Sequence, residues 1–175
     1  MMMRQPFLRY VLVFGLCLAL VLFLPYCAKK PKEAGFAPDF TLKTLEGQEI
    51  VLSGLKGKVV LLDFWATWCG PCKESIPHLI QLYKNYQEKG FELIGMSMDK
   101  AGEAEMVGRF VNSMDIPFPI LMTPEGVARS YKVTGLPTTI LIDREGKIRE
   151  KIVGYNSAIS QQIAARVEEL TSENP

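Results

Sequence analysis

The chain has 175 residues, 48% of them hydrophobic, and a formal net charge of +1 from 20 basic and 19 acidic residues. That length suits one domain plus whatever its ends carry, and that composition can fill a core. Taking Arg4 and Arg9 from the 20 basic residues leaves 18 against 19 acidic, a balance that excludes an electrostatic nucleic-acid surface.

The first elements differ in character from the rest. Arg4 and Arg9 precede "YVLVFGLCLALVLFLPYCA", Tyr10 to Ala28, which carries no charge, and Lys29, Lys30 and Lys32 follow it. A basic start before an apolar run is the pattern of a secretory signal. At ~1.5 Å per residue the run is also just long enough to cross a ~30 Å hydrocarbon core. Residues 1–28 therefore read as a signal peptide or a retained membrane anchor, and the absence of a polar face argues against a core helix. "LPYC" resembles a bacterial lipoprotein processing site, with Leu24 at the third place before Cys27, although Pro25 and Tyr26 depart from the small residues of that pattern. Cys27 is thus a candidate for lipidation. Cleavage, lipidation and retention all place the domain outside the cytoplasm, where disulfides persist. Residues 29–36 read as a tether, 37–171 as the folded domain and 172–175 as a tail.

"DFTLKTLEGQEIVL" reads as a hairpin turning at Glu46-Gly47. "KVVLLDFWA" is almost continuously apolar, as in a strand buried on both faces. From Gly70 the pattern becomes helical, with Ile76, Leu79, Ile80, Leu82 and Tyr83 three and four apart, and it stops at Lys89-Gly90. "FELIGMSMD" is a second buried strand. "EAEMVGRFVNSM" predicts a helix with Met106, Phe110, Val111 and Met114 on one side. "FPILM" is a short strand, "GVARSYKV" a short helix, and "TTILID" and "IREKIVG" an antiparallel pair about "REGK". Ile159, Ile163, Val167 and Leu170 make a last amphipathic helix. The expected class is α/β, a mixed central sheet with helices on both faces.

Cys17 and Cys27 belong to the leader, so Cys69 and Cys72 are the one cysteine pair of the domain. Cys-x-x-Cys at a strand-to-helix turn reads as a dithiol redox site. A helix starting at or just after Cys69 puts its sulfur against unpaired N–H groups and the positive end of the helix dipole, which favour thiolate. An ordinary thiol with pKa ~8.5 is about 3% ionised at pH 7, whereas one at ~7 is about half ionised. Cys69 is then the nucleophile. Cys72, one turn on and facing inward, resolves the mixed disulfide. A structural disulfide closing so small a loop would constrain the unfolded chain little. A metal site lacks ligands, because His78 is the single histidine and sits on another helix face. The methionines of "MSMD" fit core packing better than copper binding.

"FWATWCGPCK" resembles the thioredoxin-fold oxidoreductases. "APDFTL…G…VLSGLKGKVVLLDFWATWCGPC" resembles their membrane-tethered extracytoplasmic branch, the TlpA- and ResA-like proteins, over about Ala37 to Leu170. The resemblance implies a thioredoxin-like three-layer fold with an N-terminal β-hairpin extension and a helix–strand insertion near 102–122. From "YKVTGLPTT" it implies that Pro137 follows a cis bond and lies against the disulfide, and that Leu136 offers its backbone to an extended substrate. Trp68, Gly70 and Pro71 would complete the substrate surface, with Trp65 in the core. Pro77 matches the helix-kinking proline. Asp63, a carboxyl within an apolar strand, matches the buried aspartate that relays the second cysteine's proton. Burial raises such a pKa toward neutrality. The tethered branch often carries glutamate three residues after the second cysteine. This chain has Ser75 there, and Glu74, turned by about 100°, faces away. "MSMD" lacks a lysine that could pair with Asp63.

The expected function is an extracytoplasmic thiol–disulfide oxidoreductase with no cofactor and no metal. Its partners would be protein disulfides, apocytochrome c among them, and a membrane electron donor. The Gly-Pro between the cysteines is that of reducing thioredoxins, near about −270 mV against about −120 mV for strong oxidants. A peroxiredoxin-like peroxidase is the alternative enzyme, because "APDFTL" occurs there too, but Ala66 and Leu62 stand where that family has Thr or Ser and Pro. A copper or thiol chaperone is the non-enzymatic alternative.

Overall fold

The computed structural model describes residues 35–173. The leader, most of the tether and Cys27 lie outside them. Among the described residues no helix is long and apolar enough to cross a membrane.

The strands are β1 (Thr41–Lys43), β2 (Glu49–Val51), β3 (Val59–Trp65), β4 (Phe91–Ser97), β5 (Ile120–Met122), β6 (Thr138–Ile142) and β7 (Ile148–Val153). The α-helices are α1 (Gly70–Tyr86), α2 (Ala104–Ser113), α3 (Glu125–Ser130) and α4 (Ser157–Ser172). Five strands form one mixed sheet in the order β5-β4-β3-β6-β7. β3, β4 and β5 are parallel, β6 runs antiparallel to them, and β7, antiparallel to β6, runs in their direction again. β1 and β2 pair as the expected hairpin. It is stitched to the outermost strand by a Thr44–Leu121 bridge and by the Leu45 N–H donating to the Ile120 carbonyl at 3.0 Å. That covers an edge that would otherwise be open to pairing. Gly35 and Phe36, read as the end of the tether, pair with the start of β7: Phe36 bridges Lys147, and the Ile148 N–H donates to the Gly35 carbonyl.

Every residue of β3 is buried, which explains its unbroken apolar run. Alternate side chains feed two cores. Val59, Leu61 and Trp65 face α1, α2 and α4, against Ile76, Leu79, Leu82, Val107, Ile163 and Val167. Val60, Leu62 and Phe64 face the other side, where Phe40, Leu52, Ala128 and Tyr131 cover them. Helices therefore lie on both faces. Each fully buried aliphatic side chain contributes about 1.5–3 kcal/mol, so three such residues on α1 dock that helix firmly.

The α2 face differs from the sequence expectation. Val107 and Val111 are its buried residues, Phe110 and Met114 are partly covered, and Met106 is exposed. Two overlapping apolar stripes exist on this helix. Burial of Val107 selects the one without Met106, and the Phe110 ring, common to both, docks 5.4 Å from that of Trp65.

α1 ends in a short 3-10 turn and Gly90, at φ +76°. A Cβ there would also lie 2.9 Å from Arg144 Nη1. Arg144 spends its guanidinium on carbonyls of Gly57 (2.7 Å) and Thr171 (3.0 Å), tying the foot of α4 to the loop before β3.

Candidate active site

β3 delivers the chain to the C-terminal edge of the sheet, and α1 starts there. Cys69 is the N-cap of α1, with φ −86° and ψ 110°, and Pro71 occupies the first turn, where a missing N–H is harmless. Cys69 and Cys72 form a disulfide, S–S 2.01 Å with Cα atoms 5.3 Å apart. Cys69 Sγ accepts the Cys72 backbone N–H at 3.2 Å. The sulfur thus takes the place of a capping oxygen, and in the dithiol form the same N–H and the helix dipole stabilise a thiolate there. Cys72 is wholly buried. Trp68, Gly70 and Pro71 are exposed around Cys69, Trp68 to 69%. Trp65 is core.

The Leu136–Pro137 bond is cis. Pro137 is buried, and its carbonyl accepts the Gly154 N–H at 2.8 Å. Leu136 packs against the cluster that contains both cysteines. Among the described residues its backbone N–H and carbonyl have no backbone partner.

Asp63 projects to the same face of β3 as Leu61 and Trp65, the face covered by Cys72 and Ile76. It is 2% exposed, and Oδ1 has no hydrogen-bond partner. Burial pushes its pKa up to about 7, with the Thr139 hydroxyl across the β3–β6 ladder acting in the opposite direction. On its other side stands Gly95. A Cβ at Gly95 would come within 2.4 Å of Ile120 Cδ1 and 3.1 Å of Trp65 Nε1. The strand position that could have carried a lysine toward Asp63 is filled instead by its neighbours' side chains.

Ser75 is buried and its Oγ donates to the Cys72 carbonyl at 2.8 Å, while Glu74 is exposed. A cavity of about 260 Å³ opens between α1, α4 and β6, lined by Ser75, His78, Pro137, Thr139, Tyr155 and Ile163 among others. His78 is exposed on α1 and its Nδ1 pairs with the Tyr155 hydroxyl. Met96 and Met98 pack into the core clusters. Among the described residues no group of three or more His, Cys, Asp or Glu could hold a metal. Lys73 is exposed, with Nζ 5.8 Å from the centre of the Phe110 ring.

One polar group at this end of the sheet escaped the sequence reading. Asp99, 5% exposed, accepts the Thr67 N–H (3.0 Å), the Thr67 hydroxyl (2.6 Å) and the Ser97 hydroxyl (2.9 Å). A short acidic side chain closing an apolar strand beside a cysteine loop was the available signal.

A redox disulfide capping the first long helix behind a buried parallel strand, with a cis proline before β6, defines a thioredoxin-like thiol–disulfide oxidoreductase. Residues 35–151 match the AhpC/TSA family, and the chain belongs to it. Among similar proteins, thiol-disulfide oxidoreductase ResA of Bacillus cereus (strain ZK / E33L) is 40% identical over 136 residues, covering 77% of this chain and 76% of the relative. Thioredoxin-like protein YneN of Bacillus subtilis (strain 168) is 39% identical over 135 residues, 74% of this chain and 79% of that one. The crystal structure of a thiol:disulfide interchange protein of the thioredoxin family from Chlorobium tepidum TLS matches with a TM-score of 0.71 at 28% identity, covering 79% of this chain and 97% of the other.

Proposed function

We propose that this protein is an extracytoplasmic reductant of protein disulfides, working by dithiol exchange through Cys69 and Cys72. The observation that carries the reading is the seating of Cys69 Sγ at the N-cap of α1 with Cys72 wholly buried behind it. That asymmetry supports attack by Cys69 and resolution by Cys72.

The Cys69 thiolate attacks one sulfur of a substrate disulfide, forming a mixed disulfide and releasing the other sulfur as a thiolate that takes a proton from solvent. Cys72 gives its proton to the Asp63 carboxylate, and its thiolate attacks Cys69 Sγ. The Cys69–Cys72 disulfide forms, the second substrate thiol leaves, and two electrons have passed to the substrate. A donor dithiol restores the enzyme. An Asp63 pKa of about 7 suits it to taking and returning that proton near neutral pH. Leu136 and Pro137 would hold an extended substrate segment, and Trp68, Gly70 and Pro71 would face it.

The charged-then-apolar leader supports placement outside the cytoplasm, held by a retained helix or a lipid on Cys27, or secreted. In that placement its partners would be a membrane dithiol donor and extracytoplasmic protein disulfides, apocytochrome c among them. The test is reduction of insulin by the pre-reduced protein. Cys69→Ser abolishes it, Cys72→Ser stops at a mixed disulfide on Cys69, and Asp63→Asn slows resolution while sparing the first attack. Insulin reduction unaffected by Cys69→Ser overturns the assignment.

A further inference from the structure

We propose that Asp99 is a positioning residue for the exchange reaction, holding through Thr67 the short turn that delivers Cys69 to the N-cap of α1. The inference rests on the reading of Cys69 as the nucleophile.

β3 ends at Trp65 and α1 begins at Gly70, so four residues, Ala66 to Cys69, carry the chain from sheet to helix. The stretch is anchored at three points. The Trp65 carbonyl accepts the Met98 N–H at 2.7 Å, and the Cys69 N–H donates to the Ala66 carbonyl at 3.1 Å. Between them, both donors of Thr67 end on Asp99: the hydroxyl on Oδ1 and the backbone N–H on Oδ2. Ser97 fixes the carboxyl in turn, donating its hydroxyl to Oδ2 and accepting the Asp99 N–H at 3.2 Å. The register that pairs Trp65 with Ser97 sets the two strand ends side by side, so a rigid sheet supports the clamp.

The residue so held is adjacent to Trp68, which stands 69% exposed, and two before the nucleophile. An exposed indole on an unheld loop would sample many orientations. Here the turn beneath it is fixed by hydrogen bonds made away from the reacting sulfur. A capping sulfur is useful only where its geometry toward the Cys72 N–H is kept, because such bonds weaken steeply with distance and angle.

The two carboxyl oxygens receive three donors, whereas asparagine offers a single oxygen to them. Its oxygen can keep the Thr67 N–H and the Ser97 hydroxyl, but its NH₂ turns the Thr67 hydroxyl from donor to acceptor, so the clamp is kept only in a weakened form. Substitution at Thr67 separates the two bonds. Valine keeps the backbone N–H but loses the hydroxyl, and serine keeps both.

The experiment compares the reduced full-length wild type with Asp99→Asn, Thr67→Val and Thr67→Ser. The rate of iodoacetamide capture at pH 7 is read on the Cys69 peptide by mass spectrometry, and insulin reduction is followed in parallel. Asp99→Asn and Thr67→Val are expected to slow Cys69 capture about three- to tenfold, the scale of a lost cap or hydrogen bond. Thr67→Ser stays within about twofold of wild type. The sign excludes a simple charge effect, since removing a nearby negative charge would by itself favour the thiolate and speed capture. Asp99→Asn captured as fast as wild type, or faster, overturns the proposal. So does Thr67→Ser falling as far as Thr67→Val. The Thr67 pair decides the matter if Asp99→Asn does not fold. A wild-type Cys69 captured no faster than free cysteine at the same pH would instead overturn the nucleophile assignment itself.

Discussion

Replacing Asp63 by asparagine should stabilise the oxidised protein in alkaline but not in acid solution. The carboxyl is 2% exposed and its pKa is raised from 3.8 to about 7, chiefly by burial. Between those values the folded chain keeps a proton that the unfolded chain has lost. Stability therefore falls as pH rises through this window, and the penalty is complete above about pH 7. The difference between 3.8 and about 7, at ~1.4 kcal/mol per tenfold, amounts to about 4 kcal/mol. Asparagine occupies the same volume without ionising. The gain from Asp63→Asn should be near zero at pH 4 and approach about 4 kcal/mol at pH 8. In a domain of this size that corresponds to roughly 12 °C in Tm. Urea denaturation of oxidised wild type and variant at several pH values measures both curves. A stability difference that does not grow between pH 4 and pH 8 would refute the reasoning, because the carboxyl would then not be forced to hold its proton.

Gly95→Ala should destabilise the fold by about 1–3 kcal/mol, the range for overpacking a filled core. The new Cβ meets buried Ile120 Cδ1 at 2.4 Å and Trp65 Nε1 at 3.1 Å; an unfolding free energy lowered by less than a quarter of the expected amount in urea would mean the pocket yields freely. Trp68→Ala should raise KM for a protein disulfide several-fold while leaving Tm within about 1 °C, because an indole 69% exposed adds little to the core. An unchanged KM would remove Trp68 from the substrate surface.

The strand leading to the cysteines was legible because burial on both faces erases alternation and leaves an unbroken apolar run. The capping role of Cys69 was legible because helix periodicity starts at the next residue. The cis bond before Pro137 came from resemblance alone, since nothing in a Leu-Pro dipeptide announces it. Three features needed the third dimension. The buried face of α2 is set by Val107, not Met106, entering the core, and local spacing allowed either stripe. The clamp from Asp99 to Thr67 joins residues that only the β3–β4 register brings together. The same holds for Gly95: the sequence revealed that no lysine was present, and the structure shows the space beside that position taken by Ile120 and Trp65.

The central claim, a reducing dithiol at Cys69 and Cys72, is tested most directly by the midpoint potential of that pair. Purified protein equilibrated in graded dithiothreitol or glutathione buffers, with the two thiols scored by mass, gives the value. A potential near about −270 mV, in the range of reducing thioredoxins, is expected. A value above about −170 mV, toward the strongly oxidising enzymes, would contradict it.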